Sequence, residues 1–174
     1  MSNNLQTTLN RLNSLNPDQA ENEFLKCCGS VEWAKRMIVE RPFQDFDDLI
    51  AKAERVWWLL EPHDWLEAFQ SHPKIGQKRP EQQTSPEAQA WSEQEQSGTR
   101  NSTRKTVEAL EALNNVYEEK FGHIFIVYAT GKTSEEMLAI LRLRLENSPD
   151  EELRNAAAEQ AQITQLRLKK LLTI

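Results

Sequence analysis

Glycine is scarce in this chain, at 5 of 174 residues, and cysteine is scarcer still, at 2. Cys27 and Cys28 are adjacent, a spacing that fits neither a C-x-x-C metal knuckle nor a disulfide framework, so both are expected to be reduced, partly buried packing residues. The three histidines, His63, His72 and His123, show no H-x-x-x-H or H-E-x-x-H spacing, and no bound metal is expected. Glycine-rich dinucleotide and phosphate-loop patterns are absent, which excludes nucleotide binding through either motif. The net charge is -6 with acidic and basic residues interspersed, so no basic field is offered to nucleic acid or anionic lipid. No run approaches the roughly 20 apolar residues of a membrane span. Met1-Ser2-Asn3-Asn4 lacks the charged and apolar regions of a secretion signal, and a soluble, cytoplasmic protein is expected.

What is present favours helix. Ala, Leu, Glu, Gln, Lys and Arg abound, and prolines stand mostly at element starts. The pattern predicts an all-α, single-domain bundle over 1–174, with about seven to nine helices and one short extended segment near 124–129. Asn16-Pro17 opens a helix to about Cys28, Ser30 caps a second carrying Trp33, Met37 and Ile38, and Leu49, Ala53, Val56, Trp57 and Leu60 mark an amphipathic helix over about 45–60. Pro62 starts a helix that delivers the chain to His72. A polar loop is expected from Gln77 to Ser85, and Ser85-Pro86-Glu87 then opens a helix ending near Ser97-Gly98. A longer helix over about 102–120 places Val107, Leu110, Leu113, Val116 and Tyr117 on its inner stripe. Ile124 to Ala129 is β-branched and aromatic, and too short for a typical helix. Thr133-Ser134-Glu135-Glu136 and Ser148-Pro149-Asp150-Glu151 fit capping boxes for the last two helices.

Four features carry chemistry. His72 precedes Pro73 in Ser71-His72-Pro73-Lys74-Ile75-Gly76, which restricts its backbone; an imidazole of ordinary pKa about 6.5 suits general acid or base work, the alternative being a plain loop histidine after a helix. Helical spacing sets Ser92, Glu95 and Gln96 alongside Ala88 and Trp91. Glu95 then has two readings: a partly desolvated carboxylate disposed to share a proton with an imidazole, or a solvated glutamate in an acidic, glutamine-rich stretch. Arg167 falls within the arc of Leu153, Ala156, Ile163 and Leu171 and so projects inward, which calls for a carboxylate partner or an anionic ligand; the alternative is a snorkelling surface arginine. The segment Phe125, Ile126, Val127, Tyr128 and Ala129 offers backbone N–H and C=O groups to a small, flat, amide-rich ligand, or is a buried connecting strand.

Taken in order, these residues resemble a known family. Phe24, Cys28-Gly29-Ser30 with Trp33, Arg41-Pro42-Phe43, Trp65-Leu66-Glu67-Ala68-Phe69 running into His72-Pro73-Lys74-Ile75-Gly76, Trp91-Ser92 with Glu95-Gln96, Phe121-Gly122 with Phe125-Ile126-Val127, Ala129-x-Gly131-Lys132 and Arg167-Leu168 are similar to the 2-oxo-4-hydroxy-4-carboxy-5-ureidoimidazoline (OHCU) decarboxylases of urate degradation. The resemblance implies an all-helical homodimer that needs no cofactor and converts OHCU to (S)-allantoin and carbon dioxide. It implies His72 as proton donor and Glu95 as its acidic companion, with Pro73, Ser92, Glu95, Gln96, Phe125 to Ala129 and Arg167 contacting substrate. It departs at His123 and Thr130, where the family often carries an aromatic or apolar residue and an arginine. A noncatalytic helical interaction module and a cofactor-free hydrolase or racemase of a related cyclic ureide are the alternatives.

Overall fold

A computed structural model of the chain describes residues 2–75, 85–99 and 102–173. Among these are nine α-helices, one 3-10 turn and no strand, as the composition predicts. The expected polar loop lies outside the described residues except for Ser85, as does Gly76. The helices are α1 (Ser2–Ser14), α2 (Pro17–Cys27), α3 (Val31–Val39), α4 (Phe46–Trp58), α5 (Pro62–Gln70), α6 (Pro86–Glu95), α7 (Arg104–Phe121), α8 (Ser134–Arg144) and α9 (Pro149–Thr173).

Side-chain caps set most of the starts. The Asn16 side chain accepts from the Gln19 N–H at 2.9 Å, Ser30 from Trp33 at 3.2 Å, Asp45 from Asp48 at 2.8 Å and Ser85 from Ala88 at 3.2 Å. Thr133 and Glu136 close a reciprocal capping box at 3.2 and 2.7 Å. Gly122, with φ of 75°, ends α7 in the left-handed conformation that favours glycine.

Contacts divide the chain into two compact units, each with its own core. The first comprises Met1–Ala68 and Ala161–Ile174. Phe24 lies at its centre, edge-on to Trp33 (5.8 Å between centroids) and Phe43 (6.1 Å), and the Trp33 indole N–H donates to the Ala53 carbonyl at 3.2 Å. Helix α1 lies outside the sequence-based expectation. Its apolar content is thin, yet Leu9 and Leu12 are buried, and an Arg41 Nη1 donates to the carbonyls of Leu12 and Leu15 at 3.0 and 2.8 Å. A tertiary cap from 26 to 29 residues away has no local signature in the helix it closes.

The second unit, Phe69–Gln160, is built around Ile75, Leu110, Tyr117, Phe125, Val127, Ala129, Met137, Leu138 and Leu141. One expected stripe is corrected here. On α7 the buried line is Leu110, Asn114 and Tyr117, while Val107 and Val116 are exposed at 39% and 48%. Positions i, i+4 and i+7 share the inner line, and Val116 is turned roughly 100° away from Tyr117. Asn114 holds its polar place by donating to the Leu110 carbonyl at 2.9 Å. The extended segment 124–129 is present without a strand partner among the described residues.

Candidate active site

Helix α5 ends at Gln70, and the His72 N–H donates to the Phe69 carbonyl at 3.1 Å, turning the chain out of the helix before Pro73. The imidazole is half-buried, with Nε2 closed off from solvent. Two anchors follow it. Lys74 Nζ pairs with Glu118 at 2.5 Å and donates to Asn115 at 3.5 Å, both on α7, and Ile75 enters the second unit's core. The loop that carries His72 is therefore held from its C-terminal side by one ion pair and one buried side chain.

Helix α6 buries Ala88, Trp91, Ser92 and Glu95 on one face, with Glu93 and Gln94 exposed on the other. Glu95 is 7% exposed, which removes the solvated reading of this carboxylate. Ser92 Oγ donates to the Ala88 carbonyl at 3.0 Å, and Gln96, half-buried, caps the helix through its N–H to the Ser92 carbonyl at 3.0 Å. Just beyond, in the 3-10 turn Ser97–Thr99, Gly98 meets the Lys132 backbone so closely that a Cβ would stand 2.0 Å from the Lys132 carbonyl oxygen. The Ser102 and Ser134 hydroxyls are hydrogen-bonded close by in sequence. The end of α6 is thus docked on the turn that closes the extended segment.

In that segment Phe125, Val127 and Ala129 enter the core cluster while Ile126, also buried, lies outside it, the period-two alternation of extended chain. Its backbone is already partly engaged. Arg144 Nη1 donates to the Ile126 carbonyl at 2.7 Å, the Tyr128 N–H donates to Glu159 at 2.5 Å, and Lys132 Nζ donates to the Tyr128 carbonyl at 2.6 Å. Among the described residues the N–H and C=O of Val127, on the opposite edge, have no hydrogen-bond partner.

Arg144 belongs to a buried network. Its Nε and Nη2 lie 2.7 and 2.5 Å from Glu152 Oε1, its guanidinium stacks 4.8 Å from the Phe125 ring centroid, Asn147 donates to Glu152 Oε2 at 2.8 Å, and the Tyr117 hydroxyl donates to Glu152. Burial pushes the Tyr117 phenol far up, so it remains a protonated donor. His123, one of the two departures, packs as an aromatic ring. It is 8% exposed, with ring centroids 5.3 Å from Phe69 and 5.5 Å from Tyr117, and its Nδ1 lies 3.0 Å from the Ile124 carbonyl. Desolvation lowers its pKa, and because a carbonyl can only accept, Nδ1 is the donor in that bond. Thr130, the other departure, is exposed.

Arg167, on the part of α9 that belongs to the first unit, is 3% exposed, as its helical projection requires. Its charge acts on Cys27 and Cys28, both free and fully buried rather than partly so. Burial dominates for each thiol and pushes Cys28 up to about 12. Both are protonated packing groups.

The residues without a counterpart in the sequence reading are Tyr117 in its polar role, Arg144, Glu152 and Glu159. A signal existed for two of them. Arg144 follows the buried Leu141 by three positions and Glu152 precedes the buried Ala156 by four, the same projection that turns Arg167 inward. Among the described residues no cluster of histidine, cysteine and acidic side chains has the makings of a metal centre.

Helices without a strand among the described residues define the class as an all-helical protein, and it carries an imidazole in a proline-restricted loop, a buried carboxylate and an extended segment with one edge held. The comparisons with known proteins narrow that class. The OHCU decarboxylase family matches residues 13–169, and the chain belongs to that family. It is 38% identical over 152 residues to the uric acid degradation bifunctional protein TTL of Arabidopsis thaliana, covering 87% of this chain but only about half, 47%, of that protein. It is 26% identical to the 2-oxo-4-hydroxy-4-carboxy-5-ureidoimidazoline decarboxylase of Haloferax volcanii, covering 92% of this chain and 94% of the relative. A crystal structure of OHCU decarboxylase in the presence of (S)-allantoin superposes with a TM-score of 0.76 at 38% identity, covering 88% of this chain and 99% of that one.

Proposed function

We propose that the protein decarboxylates OHCU to (S)-allantoin in urate catabolism, with His72 as proton donor. The observation that carries this reading is the match, at 38% identity, to 99% of an OHCU decarboxylase chain crystallised with (S)-allantoin. The burial of Glu95 and the restrained His72 loop support it further.

The chemistry asks little beyond positioning and protonation. The bond from the ring to the carboxylate breaks, carbon dioxide leaves, and the adjoining imine and ring carbonyl delocalise the electron pair. Because the substrate is its own electron sink, no added one is needed. His72 delivers a proton to one face of the ring carbon that bears the ureido group, while the hydroxyl on the carbon that lost the carboxylate becomes a ring carbonyl and its proton passes to the former imine nitrogen; delivery to one face makes the product one enantiomer, and a well-placed acid contributes roughly 100- to 10,000-fold. Glu95 shares the proton with His72. Arg167 orients the substrate anion, Gln96 and Ser92 serve the ureido amide, Pro73 walls the site, and backbone groups within Phe125 to Ala129 hold the ring. Donors aimed at the developing charge contribute on the order of 3 to 4 kcal/mol each. A homodimer and a cytoplasmic location belong to the same reading.

The test is incubation of the purified protein with freshly generated OHCU and, separately, with allantoin, following carbon dioxide release and circular dichroism. Accelerated release with one-handed product from OHCU alone is expected. Turnover of allantoin without carbon dioxide supports a hydrolase or racemase instead, and silence on both supports a binding module.

A further inference from the structure

The geometry points to Glu159, Arg144 and Lys132 as positioning residues that stand in for a missing β-neighbour along one edge of the extended segment. This inference rests on the proposed reaction, in which that segment holds the substrate ring. An extended chain presents the N–H and C=O of one residue to one side and those of the next to the other. On one edge, the Ile126 carbonyl, the Tyr128 N–H and the Tyr128 carbonyl receive Arg144, Glu159 and Lys132 at 2.7, 2.5 and 2.6 Å. In a sheet those three groups would pair with another strand, but the described residues contain none. Three charged side chains from α8, α9 and the turn between segment and α8 do it here, with charge-assisted bonds.

The clamp is itself supported. Glu152 neutralises Arg144 inside the core and accepts from Tyr117 and Asn147, so the guanidinium on Ile126 cannot rotate away without stranding a buried carboxylate. Gly98 presses on the Lys132 backbone and fixes the turn from which its ammonium returns to Tyr128. With one edge occupied, the backbone of Val127 faces the opposite way, and the register of ring contacts is set by residues that never touch the ring.

Glu159 gives the cleanest probe, because Glu159→Gln keeps an oxygen acceptor for the Tyr128 N–H and Glu159→Ala removes it. Amide hydrogen exchange across 124–129, read by NMR at Tyr128, is expected to quicken roughly tenfold or more in Glu159→Ala and to stay near wild type in Glu159→Gln. Steady-state kinetics on OHCU are expected to show KM raised about tenfold in Glu159→Ala with kcat within about twofold, and recovery in Glu159→Gln. Unchanged exchange at Tyr128 overturns the clamp. Quickened exchange with unchanged KM, or a lowered melting temperature as the sole effect, overturns its positioning role. Should the wild-type protein leave OHCU unconverted, the proposed reaction falls while the exchange comparison still decides the clamp.

Discussion

At the scale of single residues, equal burial does not give polar groups equal surroundings. Glu95 and His123 are buried to nearly the same extent, 7% and 8%, in the same unit. His123 is enclosed by Phe69, Tyr117 and Phe121 rings, with Glu152 and Arg144 close enough to act on it with opposing signs and desolvation outweighing both. Its folded pKa lies below the unfolded value of about 6.5, so the unfolded chain binds the extra proton first. The stability tied to neutral His123 is therefore full above about 6.5 and is lost as pH falls toward the folded pKa. Thermal unfolding between pH 7.5 and 5.5 is expected to show a falling melting temperature, with a shallower slope in His123→Phe. An identical slope in that variant would assign the acid sensitivity elsewhere.

At the scale of elements, caps were the legible part and tertiary clamps the illegible one. Asn16, Ser30, Ser85 and Thr133 announce their helices because the bond each makes is local, three residues along the chain. Helix α1 was silent because Arg41, which holds its end, lies 26 to 29 residues away. The segment 124–129 was recognisable as extended from its β-branched run, but not the side chains that line it, since Glu159 comes 31 residues after Tyr128. Gly98 read as a helix stop and proves to be a point of backbone contact with Lys132. Gly98→Ala is expected to force the end of α6 and the 130–133 turn apart, costing about 1 to 3 kcal/mol. Urea denaturation measures the loss, and the rate on OHCU should fall with it because Glu95 and Gln96 sit on the displaced helix end. A variant with wild-type stability would show that the contact yields freely.

At the scale of the whole molecule, the all-α architecture followed from composition and cap spacing, and the family from the ordered motifs, now matched over 13–169. The inward turn of Arg167 was legible from a helical projection, and its burial at 3% agrees. What composition could not convey is that the contacts form two compact units, with the imidazole and Glu95 in one and Arg167 in the other. In the proposed reaction His72 supplies the proton that fixes product handedness. Circular dichroism of allantoin formed from fresh OHCU by wild-type protein and by folded His72→Asn tests it directly. Rapid appearance of the (S) signal is expected with wild type and, with His72→Asn, only the slow uncatalysed loss of OHCU without an enantiomeric excess. One-handed (S)-allantoin at a near-normal rate from the variant would contradict it.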